Sequence, residues 1–345
     1  MNTGKFSFTH QNYFIAASKR ADKWIRGLTP LAMKAPVAIS QCLVGDPVRY
    51  NGKDKYDQEL LLSLGKYVQL HPICPEVAIG LGVPRNPIQL VKVQQAIRVR
   101  EVGDASVDLT SQMQAQAVAD SARLAHVCGY IVMQGSPSCG LHDVKRFDEQ
   151  GLLLDEAGQG IYIAALKQQL PLLPVEAADV LHNKPQLDNF LTRVFTLFDW
   201  QQSTQGGLSA KQLIAFHSRY KYLLMAHNAH AYRVIGKMLS NLASDDLAQI
   251  ANRYIQSLLA ALQKPTVRGG QTNVLLHLKG YFRAVLTLDE HKEFDALAAS
   301  YQAGNIPLSK PRCYLHERVE RTGDNYLGQQ TWWQPYPNAD LLQDE

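Results

Sequence analysis

A change of pattern near residue 200 is the feature of this 345-residue sequence that most constrains its fold. Before it, short apolar runs alternate with amphipathic stretches, which is typical of strands and helices that build an α/β sheet. After a polar, glycine-containing stretch at residues 201–207, apolar residues recur with the period of helices. The sequence therefore predicts a Rossmann-like α/β domain followed by a mainly α-helical domain.

The expected domain boundaries follow from this change. A chain of this length exceeds what one hydrophobic core usually organises, so two domains are the default. We expect an N-terminal extension at residues 1–35, an α/β domain at residues 36–200, a linker at residues 201–208 and a helical domain at residues 209–345. The extension contains apparent helical stretches but gives no indication of a role.

Apolar runs and periodicity predict the individual elements. Strands are expected at residues 37–40, 67–70, 88–93, 97–101, 129–133 and 172–175. Helices are expected at residues 57–64, 110–126, 161–169, 187–200, 209–239, 245–262 and 272–288.

Charge and cysteine content restrict the class of protein. The formal net charge is +4, which permits an acidic partner such as RNA but does not require one. No leader with a cleavage site is apparent, and no apolar run approaches the ~20 residues that span a bilayer. We therefore expect a cytoplasmic protein without a membrane partner. Thiols stay reduced in that compartment, so the five cysteines indicate metal binding, catalysis or core packing rather than disulfides.

Three of these cysteines occupy equivalent positions. Cys42, Cys74 and Cys139 each follow a predicted strand, and the carboxyl ends of parallel strands meet at one edge of a sheet. Three thiolates at that edge suit a soft metal centre, either zinc or an iron–sulfur cluster. Three buried, inert thiols are the alternative. Cys128 and Cys313 are expected to be structural.

Motifs around these cysteines resemble the bacterial thiouracil desulfidase family over residues 36–200. They are Ser-Gln-Cys-Leu-Val-Gly at residues 40–45, Val-Arg-Tyr-Asn-Gly at 48–52, Pro-Ile-Cys-Pro-Glu at 72–76 and Ser-Pro-Ser-Cys-Gly at 136–140. Asn51 stands where the family usually has Asp. Motifs at residues 222–227, 273–277, 280–282 and 306–308 resemble a helical domain that is often fused to desulfidases. The fused form is similar to proteins that act on 4-thiouridine in tRNA.

The resemblance implies a cofactor and a reaction. It implies a 4Fe–4S cluster held by Cys42, Cys74 and Cys139, with one iron free of protein ligands. It further implies conversion of 4-thiouridine in tRNA to uridine with release of hydrosulfide, which is a hydrolysis without net redox change. The open iron would act as a Lewis acid towards the thiocarbonyl group.

Two kinds of side chain are candidates for the catalytic steps. Glu76 lies two residues after Cys74 and is our candidate general acid/base, a role that the resemblance also gives it. A carboxylate in the first turn of a helix is the alternative. Ser136, which the resemblance favours as catalytic, and Ser138 would orient water or substrate. Serines beside a proline also commonly stabilise turns.

Candidate substrate contacts lie one loop after Cys42. Arg49 would hold a phosphate and Tyr50 would stack on a base, with a salt bridge and a packed ring as the alternatives. In the helical domain, residues 216–239 would carry cations on one broad face if they formed one helix. Those cations are His217, Arg219, Lys221, His227, His230, Arg233 and Lys237. Such a face predicts contact with the phosphates of a thiolated tRNA, although an ordinary solvated face is the alternative.

Three other functions remain open at this point. The enzyme would act on free 2-thiouracil or thionucleotides if the helical domain bound no RNA. A non-enzymatic iron–sulfur protein that binds RNA or senses redox state would not need Glu76. A sulfurtransferase that works through a cysteine persulfide would be active without iron.

Overall fold

The computed structural model describes residues 34–240, 242, 246–337 and 339. The predicted extension at residues 1–35 lies outside the described residues except for its last two positions. Within the described part, the strands are β1 Ala35–Ser40, β2 Val68–Ile73, β3 Ile88–Val93, β4 Ala96–Glu101, β5 Asp104–Asp108, β6 Tyr130–Val132, β7 Val144–Phe147, β8 Leu153–Gly158 and β9 Val175–Ala177.

The helices surround these strands and then continue alone. They are α1 Gln58–Leu64, α2 Pro75–Ala78, α3 Thr110–Arg123, α4 Ile161–Gln169, α5 Lys184–Thr204, α6 Ala210–His227, α7 Ala229–Leu239, α8 Leu247–Ala261, α9 Arg268–Tyr281, α10 Leu288–Gln302, α11 Ser309–Thr322 and α12 Asn325–Gly328. The expected fold class, an α/β region followed by a helical region, is confirmed.

The central sheet is parallel and has the strand order β2-β1-β6-β9. Its middle strand β1 is an apolar run with almost every side chain buried, as expected for a strand covered on both faces. Because all four strands run in the same direction, the loops after β1, β2 and β6 leave the sheet at one edge. This edge carries the candidate functional site.

A second sheet of five strands was only partly expected. Its order is β5-β4-β3-β7-β8, and β3 pairs antiparallel with β4, which confirms the ribbon predicted at residues 88–101. The hairpin of β7 and β8 was missed because its residues are largely polar or exposed. Strands β3–β5 follow the loop of Cys74, and β7–β8 follow that of Cys139. The parallel pairing of β3 with β7 therefore joins the segments that leave two of the cysteine loops.

Two predictions about the helical region were wrong in detail. The run expected at residues 209–239 is two helices, because the side chain of Asn228 accepts a hydrogen bond from the backbone N–H of Ala231 and starts α7. Helix α5 continues to Thr204, so the first half of the predicted linker at residues 201–208 is helical. The helix expected at residues 187–200 packs against β1.

One large hydrophobic core runs from the sheet into the helical region. It includes Val37 and Ile39 of β1, Trp200 of α5 and Phe216 of α6, whose ring lies edge-on to Trp200 at 5.1 Å between centroids. Near the C-terminus, Tyr336 joins it with its ring edge-on to Tyr67, 5.6 Å between centroids. A smaller core lies on the other face of the sheet.

Helix lengths and polarity bear on the membrane expectation. Among the helices that the structure describes, none combines the length and apolarity needed to cross a bilayer.

Candidate functional site

The three cysteines of the sequence motifs line one cleft at the carboxyl edge of the central sheet. Cys42 lies in the 3₁₀ turn Gln41–Val44 after β1, Cys74 directly follows β2, and Cys139 lies in the loop after β6. The cleft has a volume of about 190 Å³. The expected convergence of Cys42, Cys74 and Cys139 on one site is what the parallel sheet produces.

Local interactions fix each cysteine loop. The carbonyl of Cys42 accepts a hydrogen bond from the N–H of Lys55 at 2.9 Å. Cys74 is extended, and Pro75 begins the short helix α2 after it. The third loop packs so tightly against Gly160 that a Cβ there would lie 2.4 Å from the carbonyl oxygen of Ser138. These loops therefore hold the thiols at set positions.

The surroundings of the three thiols disfavour the simultaneous ionisation of all three, unless a cation is bound next to them. Burial raises the pKa of Cys42 to about 12, and the negative charges of Cys139 and Cys74 add to this effect. Burial also raises the pKa of Cys74 and of Cys139, which is only 6% exposed. A set of three thiolates is the donor set of a soft metal centre, whose positive charge would offset this repulsion.

The donor chemistry fits a 4Fe–4S cluster with three protein ligands. Over the described residues, no group of three His, Cys, Asp or Glu side chains is arranged to hold a single metal ion. A cluster binds its cysteines on separate iron atoms, so its ligands need not converge on one point.

Glu76 lies in the same cleft, and both of its carboxylate oxygens are engaged. Arg85 donates to Oε2 from Nη2 at 2.6 Å and from Nε at 3.0 Å, and Ser138 donates from Oγ to Oε1 at 2.7 Å. The side chains of Glu76 and Arg85 are 14% and 8% exposed. The carboxylate is therefore held in a fixed position at the edge of the cleft.

Ser136 connects this carboxylate to the cleft. The hydroxyls of Ser136 and Ser138 lie 2.9 Å apart, and the backbone N–H of Cys139 donates to Ser136 Oγ at 3.3 Å. Ser138 is 1% exposed, whereas Ser136 is half-buried. A hydrogen-bonded chain thus runs from Ser136 through Ser138 to Glu76.

Sequence reasoning missed Arg85. Besides Glu76, its guanidinium donates to the carbonyls of Val48 at 2.9 Å and Gly82 at 3.1 Å, and its backbone N–H donates to the carbonyl of Tyr50. Arg85 therefore ties the loop after Cys42 to the loop after Cys74. The only sequence signal was its place between Pro84 and Pro87, which predicts a rigid loop and not a partner.

Arg49 and Tyr50, the predicted substrate contacts, also line the cleft. The guanidinium carbon of Arg49 lies 5.7 Å from the ring centroid of Tyr50, and the Tyr50 ring is 41% exposed. The predicted salt-bridge alternative finds no support in the ion pairs between described residues. An exposed ring beside a cation at the mouth of a cleft can stack on a base and contact a phosphate.

The predicted cationic face of residues 216–239 is not continuous. Arg219 forms an ion pair with Asp199 at 3.0 Å, and burial lowers the pKa of both His217 and His227 to about 4. His230, Arg233 and Lys237 are exposed on α7. The single broad face expected of one helix is therefore wrong, because the chain turns at Asn228, Arg219 is paired with Asp199, and burial disfavours the charged form of His217 and His227.

Lys221, another cation of the predicted face, lies beside tyrosine rings of the helical region. The ammonium of Lys221 is 5.8 Å from the ring centroid of Tyr326, whose ring lies 6.3 Å from that of Tyr281. Tyr281 is 47% exposed. We call Lys221, Tyr281 and Tyr326 the aromatic patch.

Comparisons with known proteins agree with the motifs. Residues 37–178 match the family model for 2-thiouracil desulfurase, and residues 221–337 match that for a protein of unknown function, DUF1722. Over 153 residues the chain is 30% identical to the uncharacterized protein YbgA of Escherichia coli (strain K12), a match that covers 44% of this chain and 90% of YbgA.

One solved structure is also similar. It is that of the [4Fe-4S]-dependent thiouracil desulfidase TudS, with 28% sequence identity and a TM-score of 0.35. The match covers 43% of this chain and 94% of that chain.

Proposed function

Because this chain belongs to the thiouracil desulfidase family, in the form fused to a C-terminal DUF1722 domain, we propose that it removes sulfur from 4-thiouridine in tRNA. The products would be uridine and hydrosulfide, and the reaction would be a hydrolysis without net redox change. The observation that carries the proposal is the shared cleft of Cys42, Cys74, Cys139 and Glu76. We place this reaction in the cytoplasm, where thiols stay reduced.

The three cysteines would hold a 4Fe–4S cluster. When bound, the cluster would supply an iron with an open position, which acts as a Lewis acid towards the thiocarbonyl sulfur. The protein would supply the ligands, exclude bulk water from the thiols and position the groups that move protons.

Glu76 would act as the general acid/base. Its fixed carboxylate can take a proton from the attacking water and deliver it to the departing sulfur, which leaves as hydrosulfide. Ser136 would orient that water, since its hydroxyl is the most accessible member of the chain that leads to Glu76. We propose that Ser138, being almost fully buried, contributes to substrate binding indirectly by holding Ser136 and Glu76 in place.

Arg49 and Tyr50 would hold the nucleotide at the mouth of the cleft. Tyr50 offers an exposed ring for stacking on the uracil, and Arg49 offers a guanidinium for the adjoining phosphate.

The helical domain, proposed to span residues 209–345, would bind the body of the tRNA. The aromatic patch supports this role, since it combines a cation with tyrosine rings suited to stacking on unpaired bases. The exposed cations of α7 supply further phosphate contacts.

The decisive experiment uses protein whose cluster has been reconstituted without oxygen. We would add tRNA that contains 4-thiouridine and follow the loss of the thiocarbonyl absorbance. Cys139→Ala should lose iron and activity together, whereas Cys128→Ala should keep both, since Cys128 lies outside the cleft. Activity of iron-free protein would instead support a sulfurtransferase that uses a persulfide.

Two further variants test the chemistry and the substrate. Glu76→Gln should retain the iron and lose about 10²–10⁴-fold in rate; normal turnover would refute the acid/base assignment. Lys221→Gln should raise the KM for tRNA most strongly at low salt, because a variant with one phosphate contact fewer depends less on salt, and it should leave turnover of free 4-thiouridine unchanged, with the exposed Lys292→Gln as matched control. If the protein turned over free thiouracil but not thiolated tRNA, its substrate would be the small molecule.

A further inference from the structure

Tyr130 of β6 has a hydroxyl that forms no hydrogen bond to any described residue, although the side chain is 0% exposed. Buried hydroxyls in proteins are almost always hydrogen-bonded, so each exception calls for a physical explanation. Neither catalysis nor substrate binding as described above uses this residue.

The strand register places Tyr130 on the cysteine side of the sheet. Tyr130 is paired with Ala38 of β1, and paired residues of parallel strands point to the same face. Ser40, two residues further along β1, points to that face as well. Its hydroxyl donates to the sulfur of Cys139 at 3.5 Å.

The smaller hydrophobic core confirms this placement. It contains Tyr130 together with Ala38 and Ile73, the residue directly before Cys74. The charges of Cys139 and Cys74 raise the pKa of the Tyr130 hydroxyl, in addition to the larger effect of burial.

Tyr162 and Asp120, whose charges also raise the pKa of the Tyr130 hydroxyl, are already hydrogen-bonded. Tyr162 donates from its hydroxyl to Asp120 Oδ2 at 2.8 Å, and Arg123 donates to Asp120 Oδ1 at 2.8 Å. Both oxygens of that carboxylate are therefore engaged without Tyr130. Of the four groups whose charges raise the pKa of the Tyr130 hydroxyl, the thiols of Cys74 and Cys139 are the two that lie outside this hydrogen-bonded pair.

We propose that Tyr130 donates a hydrogen bond to a sulfur of the bound cluster on the side held by Cys74 and Cys139, and that this bond raises the reduction potential of the cluster. The inference rests on the proposed function, which supplies the cluster. A hydrogen bond to a ligand sulfur withdraws electron density from it, and such bonds are among the features by which proteins tune iron–sulfur centres. Tyr130 is thus a positioning and tuning residue, since it is too deeply buried to touch the substrate.

Tyr130→Phe removes only the hydroxyl, and Tyr162→Phe is the matched control at an equally buried ring of the same core. We would measure iron and sulfide content, titrate the reduction potential, and record pulsed EPR of the reduced cluster in D₂O. Tyr130→Phe should keep its iron but lose one coupled exchangeable deuteron. At the midpoint potential of the wild type, its ratio of oxidised to reduced cluster should rise about tenfold, which is 59 mV for a one-electron couple. Tyr162→Phe should match the wild type in both readouts.

Unfolding of the iron-free protein by urea gives an independent test. Tyr130→Phe should be at least as stable as the wild type, because it removes a hydroxyl without a partner, whereas Tyr162→Phe should be less stable. An unchanged potential and deuteron coupling in Tyr130→Phe would overturn the inference, and so would a loss of stability equal to that of Tyr162→Phe. A wild-type protein that takes up no iron would refute the proposed function itself, which separates the two failures.

Discussion

Replacing Arg85 by methionine should reveal how strongly Glu76 depends on its partner. The guanidinium forms two charge-assisted hydrogen bonds to one carboxylate oxygen, with both side chains at most 14% exposed. Hydrogen bonds to charged groups contribute about 1.5–3 kcal/mol. Removing one partner of a buried ion pair costs about 3–5 kcal/mol. Because some exposure remains, we expect Arg85→Met to lower the free energy of unfolding by about 3 kcal/mol.

A double-mutant cycle separates the ion pair from the other contacts of Arg85. Glu76→Gln removes the charge that Arg85 neutralises, so Arg85→Met in that background should cost about 1–3 kcal/mol less. Urea unfolding of iron-free protein, followed by circular dichroism, measures all four corners of the cycle. Arg98→Met is the control, since the side chain of Arg98 is 43% exposed and reaches Asp108 only at 3.8 Å. It should change stability by less than about 0.5 kcal/mol.

The same variant should also slow the reaction. A displaced Glu76 would no longer lie at the correct distance from the water that we propose it activates, and such misplacement costs about 10²-fold in turnover. Iron content should stay normal, because Arg85 contacts none of the cysteine sulfurs by hydrogen bond in the described part of the chain. Additive stability effects of Arg85→Met and Glu76→Gln, together with normal turnover, would refute the reasoning.

Two more predictions test the third cysteine loop and the helical region. Gly160→Ala should destabilise the protein by about 1–3 kcal/mol and lower its iron content, because the new Cβ would meet the carbonyl of Ser138. Gly236→Ala on α7, where nothing lies within 4 Å of the new Cβ, should instead stabilise it by about 0.5–1 kcal/mol; equal effects in urea titrations would contradict this. Burial lowers the pKa of His217 from 6.5 to about 4, so the unfolded state binds more protons between these values and stability falls as pH drops through that window. In His217→Phe, the fall of the free energy of unfolding with pH should be shallower by up to ~1.4 kcal/mol per pH unit. Urea titrations at a series of pH values measure this slope. An unchanged slope would show that the pKa of His217 is not lowered in the folded protein.

The convergence of the cysteines could be predicted from the sequence because it depends only on strand direction. Cys42, Cys74 and Cys139 each follow a strand of the parallel sheet, and parallel strands end at one edge. Glu76 could be placed near them since it is two residues from Cys74. Local patterns of this kind need no knowledge of long-range contacts.

The features that the sequence could not predict depend on contacts between residues far apart in the chain. Arg85 reaches Val48, 37 positions away, and no periodicity encodes that bond. The sequence of the β7–β8 hairpin does not alternate between apolar and polar residues. Its position in the sheet is set by the pairing of β7 with β3, a contact between distant segments. Arg219 looked available for RNA, but its partner Asp199 lies on a separate helix, and composition alone does not reveal such pairs.

The large hydrophobic core has a consequence for any attempt to divide this protein. Cys42 packs against that core, as do Phe216 and Tyr336 from the helical region. Cutting the chain in the proposed linker would leave Trp200 on one fragment and its ring partner Phe216 on the other, both exposed to water. We therefore expect the two halves to fold and melt as one cooperative unit, so the thiol of Cys42 owes part of its rigidity to helices that lie beyond residue 208.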